Sequence, residues 1–137
     1  MRTLFPPTLD VLEKNLELRQ QRHRVLASNV ANAETPGFIA KEVYFEDALR
    51  QAAKPSSQSA LYKTHPDHLP GPVPSVHQVK GVIGIPPSDD VGNDLNTVSI
   101  DQQMAKLTMN TFQFNASTEI LSRMLAQIKR VITDGGR

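Results

Sequence analysis

Hydrophobic residues recur every three or four positions along residues 99–133, and no glycine or proline interrupts this segment. This spacing is that of a heptad repeat on one face of a helix, and Ser99 followed by Gln102 is typical of a helix N-cap. We therefore predict a helix over about residues 99–133, roughly 50 Å long at 1.5 Å per residue. Its apolar stripe comprises Met104, Leu107, Thr111, Phe114, Thr118, Leu121, Leu125, Ile128 and Ile132.

A second helical pattern lies near the start of the chain and predicts a helix over about residues 8–32, with Thr8 as its candidate cap. The interruption in its stripe is Arg19. The stripe itself comprises Leu9, Leu12, Leu16, His23, Leu26 and Val30. Two helices that are amphipathic along their whole length are expected to pair as a coiled coil, antiparallel or parallel according to the path of the chain between them.

Each predicted helix carries a second apolar stripe that a two-helix hairpin would leave exposed. The second stripes are Val11, Leu18 and Val25 on the first helix, and Ile120, Met124 and Val131 on the second. Burying each such side chain fully is worth about 1.5–3 kcal/mol, so exposing both stripes would leave a marginal fold with an adhesive surface. We favour assembly with neighbouring subunits as the way these stripes are covered. The alternative is that the middle of the chain folds back over them.

Residues 33–97 are predicted to be a long irregular connection within a single domain that spans residues 1–137. The glycines and prolines outside the two helical segments and their flanks all lie between Pro36 and Gly92. Short strands are predicted at 38–45 and 79–85, and the stretch 52–78, rich in Pro, Ser, Gln and His, is expected to be exposed and mobile. The expected fold class is mainly α, with two long terminal helices joined by an irregular segment that contains at most short β-strands.

Charge and composition exclude several functional classes. The chain has 15 basic and 14 acidic residues among 137, which gives no strong electrostatic argument for a nucleic-acid partner or a membrane surface. It has no cysteine, so disulfides and thiolate metal sites are excluded. No run of apolar residues approaches the length of a membrane span, and no apolar segment typical of a secretory signal peptide is visible at the N-terminus.

Three polar clusters are candidates for chemistry, and none fits a known pattern. His65, His68 and His77 lack zinc-site spacing, and the acidic run 89–94 lacks the alternating ligands and terminal glutamate of a calcium loop. The basic run 19–24 has no interleaved aromatic residues of the kind that bind nucleic acid. We therefore predict no metal, no cofactor, no catalytic site and no enzyme activity.

The most specific stretch is 26–38, LASNVANAETPGF, which combines a helix end with a turn. Its small residues, Ala27, Ser28, Ala31 and Ala33, permit close approach of another helix, and Asn29 and Asn32 offer amides to neighbouring backbone. Pro36 disfavours helical geometry at Thr35, and Gly37 before Phe38 is predicted to take a positive φ.

This stretch closely resembles the signature of the rod and hook family of axial proteins of the bacterial flagellum. The opening of the second helix at Asn96, Thr97 and Val98 is similar as well, so the resemblance covers both ends of the chain. The short length leaves no room for the large β-rich domain of the distal rod and hook members. The chain is most similar to the B-type among the short subunits of the proximal rod, and the other short rod subunits remain open.

The resemblance implies a non-catalytic subunit that polymerises by its terminal helices into the periplasmic drive shaft and transmits torque for motility. It implies export without a cleaved signal peptide, through the flagellum's own type III apparatus. The implied partners are other copies, other rod proteins, and the MS-ring protein with its rod adaptor at the base. The residues expected to carry assembly are Leu12, Leu16, Leu26, Val30, Met104, Leu107, Phe114, Leu121, Leu125 and Ile128. The alternative is a small coiled-coil adaptor or export chaperone that binds one discrete partner.

Overall fold

The computed structural model describes residues 7–54, 75–86 and 99–135. Helix α1 runs over Pro7–Ala31 and helix α3 over Ile100–Asp134, within a residue or two of the predicted bounds. Ser99 caps α3 as expected, because its hydroxyl accepts from the backbone N–H of Gln102 at 3.4 Å. The prediction that Thr8 caps α1 is wrong: Pro7 already lies inside the helix, where its missing N–H costs nothing in the first turn.

The two long helices form an antiparallel hairpin. Asn15 contacts Ser117 near one end, and Asn29 contacts Gln103 near the other. With 25 and 35 residues, the helices are about 37 Å and 52 Å long. The last two turns of α3 therefore extend beyond the described part of α1.

A small β-hairpin and a short helix lie between the long helices in the sequence. Strand β1, Glu42–Tyr44, pairs antiparallel with strand β2, Val82–Gly84, with Val43 opposite Ile83. Both strands fall inside the predicted segments but are shorter than predicted. At Gly81, just before β2, an added Cβ would lie 2.7 Å from Val43 Cγ1, so glycine allows this close approach.

Two further elements were not predicted from the sequence. Helix α2, Glu46–Ala52, begins with two acidic residues that favour a helix N-terminus but is too short to show a clear period. A 3₁₀ helix at Val76–Gln78 precedes β2. The rest of the stretch expected to be mobile, 55–74, lies outside the described residues.

The main core lies between α1 and the β-hairpin with α2. Leu18, Val43 and Phe45 are at its centre. Its other buried members are Leu49 and Val79, with Val11, Val25, Ala52 and Val76 packed against them. The second stripe of α1 is thus covered by the middle of the chain, which is the alternative that the sequence left open and not the favoured one.

The apolar stripes of α3 are not buried in this way. Every second member of its main stripe is exposed: Met104, Thr111, Thr118, Leu125 and Ile132. The remaining members, Leu107, Phe114, Leu121 and Ile128, are half-buried. The stripe therefore faces α1 through only about half of its members, and the fully buried residues of α3 are Gln103, Asn110 and Ser117, which lie outside the stripe. On its second stripe Ile120 and Val131 are exposed.

Candidate assembly surface

The signature stretch forms a tight helix exit at the end of α1. After Ala31 the chain turns through successive backbone hydrogen bonds, from Thr35 N to Asn32 O at 2.9 Å and from Phe38 N to Thr35 O at 3.2 Å. Gly37 has a φ of +74°, as predicted. An added Cβ at Gly37 would meet no atom within 4 Å, so the requirement for glycine there comes from the backbone conformation and not from crowding.

Asn29 fastens this exit to both long helices. It is only 1% exposed, and its amide donates to Lys41 O at 2.7 Å and accepts from Lys41 N at 3.1 Å. The same amide nitrogen donates to Gln103 Oε1 at 3.0 Å. The expected bonds to neighbouring backbone are therefore present at Asn29, and also at Asn32, which donates to Ser28 O at 2.8 Å. The link to Gln103 was missed, since nothing in the sequence pairs residues so far apart.

The small residues of the signature divide into two groups. Ala33 is buried against Ala40 beneath Phe38, and it helps to fold the exit segment back. Ala27, Ser28 and Ala31 are exposed on the last turns of α1. No described helix of the chain covers these three residues, so the close approach predicted for them is not made among the described helices.

Two arginines of the basic run join α1 to the rest of the fold. Arg22 donates to Val43 O, with Nε at 3.1 Å, and forms a two-pronged ion pair with Glu46, in which Nη2 lies 2.8 Å from Oε2. The Arg22 guanidinium lies 4.5 Å from the centre of the Phe45 ring. The Arg19 guanidinium lies 5.8 Å from the same ring centre and donates to Gln113 Oε1. Arg19 and Arg22 of the basic run thus form a structural clamp, a role that the sequence did not reveal, whereas His23 and Arg24 are exposed.

Electrostatics at this clamp follow from burial and pairing. Burial lowers the pKa of Arg19, opposed by the nearby charge of Glu46. Burial acts to raise the pKa of Glu46, but hydrogen bonds from Arg22 and from backbone N–H groups outweigh it, and the net shift of this pKa is downward. The ion pair is therefore formed at neutral pH.

Helix α3 presents an unusual amount of apolar side chain to solvent. Phe112 is 69% exposed and Leu125 47%. The large apolar side chains of α3 that are exposed are Ile100, Met104, Met109, Phe112, Ile120, Leu125, Val131 and Ile132. Thr111 and Thr118 extend this surface, since each hydroxyl bonds a carbonyl one turn back in the same helix, at 2.9 and 3.0 Å. We call this set the α3 apolar surface.

A cleft of about 180 Å³ adjoins the α3 apolar surface between the two long helices. Gln20 and His23 line it from α1, and Asn110, Thr111 and Phe114 line it from α3. The walls are mostly carbon, so the cleft continues the apolar surface onto α1.

Comparison with known proteins identifies the family. The family model described as flagella basal body rod protein matches residues 9–38, which span most of α1 and the whole exit turn. The flagellar basal body rod protein FlgB of Escherichia coli (strain K12) is 31% identical over 127 residues, 90% of this chain and 91% of that protein. The chain belongs to the FlgB family of flagellar basal body rod proteins. FlgB of Bacillus subtilis (strain 168) is 28% identical over 135 residues, 97% of this chain and 98% of its own length.

Membership of the FlgB family confirms the resemblance drawn from the signature stretch and the prediction of a structural rod subunit. FlgB of Salmonella typhimurium is a further relative, 28% identical over 127 residues, which are 90% of this chain and 91% of that protein. None of these relatives supports the alternative of an adaptor or export chaperone.

The remaining candidate sites add nothing to this assignment. Within residues 7–54, 75–86 and 99–135, no group of three or more histidine, aspartate or glutamate residues is placed to hold a metal ion. His65, His68 and the acidic run 89–94 lie outside those residues, and the described His77 contacts Asp10 at 3.7 Å. No helix in the described part of the chain is both long enough and apolar enough to cross a membrane.

Proposed function

We propose that this chain is a non-catalytic subunit that polymerises through α1 and α3 into the periplasmic rod of the flagellar basal body. One observation carries the proposal: α3 buries three polar residues, Gln103, Asn110 and Ser117, and exposes eight large apolar ones. A helix that is apolar on several faces is stable in water only when other helices surround it. Neighbouring rod subunits would supply those helices.

The predicted assembly residues fall into three groups by burial, and the proposal gives them two roles. Met104 and Leu125 are exposed and would contact neighbouring subunits directly. Leu26 is buried and would act by holding α1 in place. The half-buried members would contribute to both roles: Leu12, Leu16, Val30, Leu107, Phe114, Leu121 and Ile128.

The exposed small residues of the signature, Ala27, Ser28 and Ala31, would form a second contact with neighbours. Small side chains let helix backbones approach closely, and these three side chains lie on a face of α1 that no helix in the described part of the chain covers. The partners would be copies of this chain, other rod proteins, and the ring and adaptor proteins at the base of the rod. Delivery would use the flagellar type III export apparatus.

A charge on the α3 apolar surface tests the proposal. Leu125→Asp is expected to abolish rod assembly and motility, because a carboxylate at an apolar interface loses its water without gaining a partner. The helical content of the isolated subunit should be unchanged, since Leu125 is 47% exposed. The subunit should still be recovered outside the cytoplasm, which separates a failure of assembly from a failure of export.

Ser122→Asp is the matched control, since it places the same charge at an exposed polar position of the same helix. Motility of the Ser122→Asp strain should match that of the parent. Normal swimming of the Leu125→Asp strain would refute the assignment of this surface.

A further inference from the structure

The hydrogen bonds between α1 and α3 form a ladder of polar side chains. Asn15 donates to Ser117 Oγ at 3.0 Å, Arg19 donates to Gln113 Oε1 at 2.5 Å, and Asn29 donates to Gln103 Oε1 at 3.0 Å. Asn110 donates to Arg19 O at 3.0 Å. We call Gln103, Asn110 and Ser117 of α3, with Asn15, Arg19 and Asn29 of α1, the polar ladder.

All contacts of the polar ladder belong to one register. From Asn15 to Asn29 and from Gln103 to Ser117 the sequence separation is the same, two heptads, and the paired residues run in opposite directions. The three ladder residues of α3 are also its buried residues, spaced one heptad apart. The ladder therefore occupies the positions that coiled coils usually fill with apolar side chains.

The apolar positions beside the ladder do not distinguish this register from its neighbours. A shift by one heptad would exchange Leu107 for Phe114, or Phe114 for Leu121, and each exchange leaves an apolar side chain at the interface. Heptad-spaced apolar residues thus tolerate a slip of about 10 Å, seven residues at 1.5 Å each.

The polar ladder does not tolerate the same slip. A shift in one direction places Met124 opposite Asn15 and Ile120 opposite Arg19. A shift in the other places Lys106 opposite Arg19 and removes Gln103 from Asn29. A buried amide that loses its partner retains the full cost of its lost hydration, whereas a displaced leucine finds another apolar neighbour.

We propose that the polar ladder is the specificity determinant that fixes the register of α3 on α1. Arg19 Nε and Asn110 Oδ1 are buried without a hydrogen-bond partner among the described residues, so the ladder does not maximise stability. Polar residues kept in a helix interface at a cost to stability are best attested as register devices. A fixed register sets the position of the α3 apolar surface relative to the signature turn. Every subunit then presents these two features to its neighbours at the same spacing.

Cysteine cross-linking tests the proposal directly, because the chain has no cysteine of its own. Gln20 and Thr111 line the same cleft, so Gln20→Cys with Thr111→Cys reports the observed register. Gln20→Cys with Met104→Cys, and Gln20→Cys with Thr118→Cys, report slips of one heptad in either direction. All four positions are exposed, so the substitutions themselves should leave the fold intact.

Each pair is tested in dilute full-length protein, in the natural background and in a variant without the ladder. The ladder variant combines Gln103→Met, Asn110→Leu, Gln113→Met and Ser117→Ala, which keep similar volumes and remove all four of the hydrogen bonds between α1 and α3 given above. In the natural background the Gln20 and Thr111 pair should form its intramolecular disulfide at least about tenfold faster than either shifted pair. In the ladder variant the shifted pairs should approach the rate of the native pair, with helical content retained.

The control is Asn115→Leu, which makes the same chemical change at an exposed position of α3 and should leave the native pair dominant. Retained dominance of the native pair in a helical ladder variant would overturn the proposal. If this variant loses its helical signal, Gln103→Met combined with Asn110→Leu, which removes the hydrogen bonds to Asn29 and to Arg19 O, carries the test with the same two outcomes.

Discussion

The two long helices of this rod subunit are similar in sequence pattern and different in what covers them. Helix α1 lies between α3 on one side and the β-hairpin with α2 on the other, and its second stripe is in the core through Leu18. Helix α3 contacts α1 through polar residues and exposes apolar side chains such as Phe112 and Leu125. Helix α1 is therefore the centre of the folded subunit, and α3 carries most of the large apolar side chains that the described residues leave exposed.

The difference predicts opposite effects for equivalent substitutions on the two second stripes. Leu18→Ala removes a side chain from the core, where it is 2% exposed, and should lower the free energy of unfolding by about 2–5 kcal/mol. Ile120→Ala, at a position 51% exposed, should change it by no more than about 0.5 kcal/mol and instead weaken assembly. Urea unfolding of the isolated subunit and swimming assays measure the two effects. Equal destabilisation by the two substitutions would contradict the contrast.

A smaller effect is expected at the exit turn, which leads the chain from α1 to the β-hairpin. Gly37→Val forces a β-branched residue to a φ of +74° and should destabilise the subunit by about 1–3 kcal/mol. Gly37→Asn is the matched control, because asparagine tolerates this region of backbone space and no atom lies within 4 Å of the added Cβ. A valine variant as stable as the asparagine variant in thermal unfolding would show that the backbone conformation does not limit this position.

Two ion pairs, one from α1 to Glu46 and one from α3 to Glu42, sharpen the comparison further. Arg22→Gln loses the two-pronged pair with Glu46 and the contact with Val43 O, and should cost about 1–3 kcal/mol. Lys106→Gln removes the 2.8 Å pair between α3 and Glu42, which is partly exposed, and should cost no more than about 1 kcal/mol. Denaturant unfolding of both variants at low and high salt measures the two losses of unfolding free energy. A larger loss for Lys106→Gln than for Arg22→Gln would mean that the ion pair of α3 holds the β1 region more firmly than that of α1.

The smallest effect is a pH dependence at the same clamp. Because the pKa of Glu46 is lowered in the folded chain, its contribution to stability is complete above the ordinary glutamate pKa of about 4.3. It is lost as the pH falls through the lowered pKa. Solvent screening keeps it below about 1 kcal/mol, since the carboxylate is partly exposed. Glu46→Gln should therefore flatten the fall in stability as the pH is lowered from about 5 through the ordinary glutamate pKa of about 4.3 and below it. An unchanged acid slope in this variant would exclude Glu46 as its source.

Local signals in the sequence were sufficient for the helices and the turn. The heptad spacing and the absence of glycine and proline defined α1 and α3 to within two residues, and Pro36 followed by Gly37 defined the helix exit with its positive φ. These features depend on backbone geometry over a few residues, which the residue types themselves restrict. The signature stretch likewise identified the family, because its residues are contiguous in the sequence.

Short elements and long-range polar contacts could not be predicted in this way. Helix α2 and the clamp of Arg22 on Glu46 depend on the path of the middle segment, which no periodic pattern describes. The pairing of Asn29 with Gln103 depends on the register of two distant helices. The sequence shows where an amide side chain is, but it does not show which distant residue will be its hydrogen-bond partner.

The sequence by itself determined that two long amphipathic helices bracket an irregular segment and that both carry more apolar surface than a single hairpin can bury. Only the tertiary structure decided which apolar surface was covered: the middle segment packs on Leu18 of α1 and leaves Ile120 of α3 exposed. The physical reason is that the hydrophobic effect is non-directional. An apolar stripe therefore specifies that it will be buried, but it does not specify which partner buries it. Hydrogen bonds are directional, and the polar residues between α1 and α3 accordingly occupy the interface that the apolar pattern alone assigned to leucine and phenylalanine.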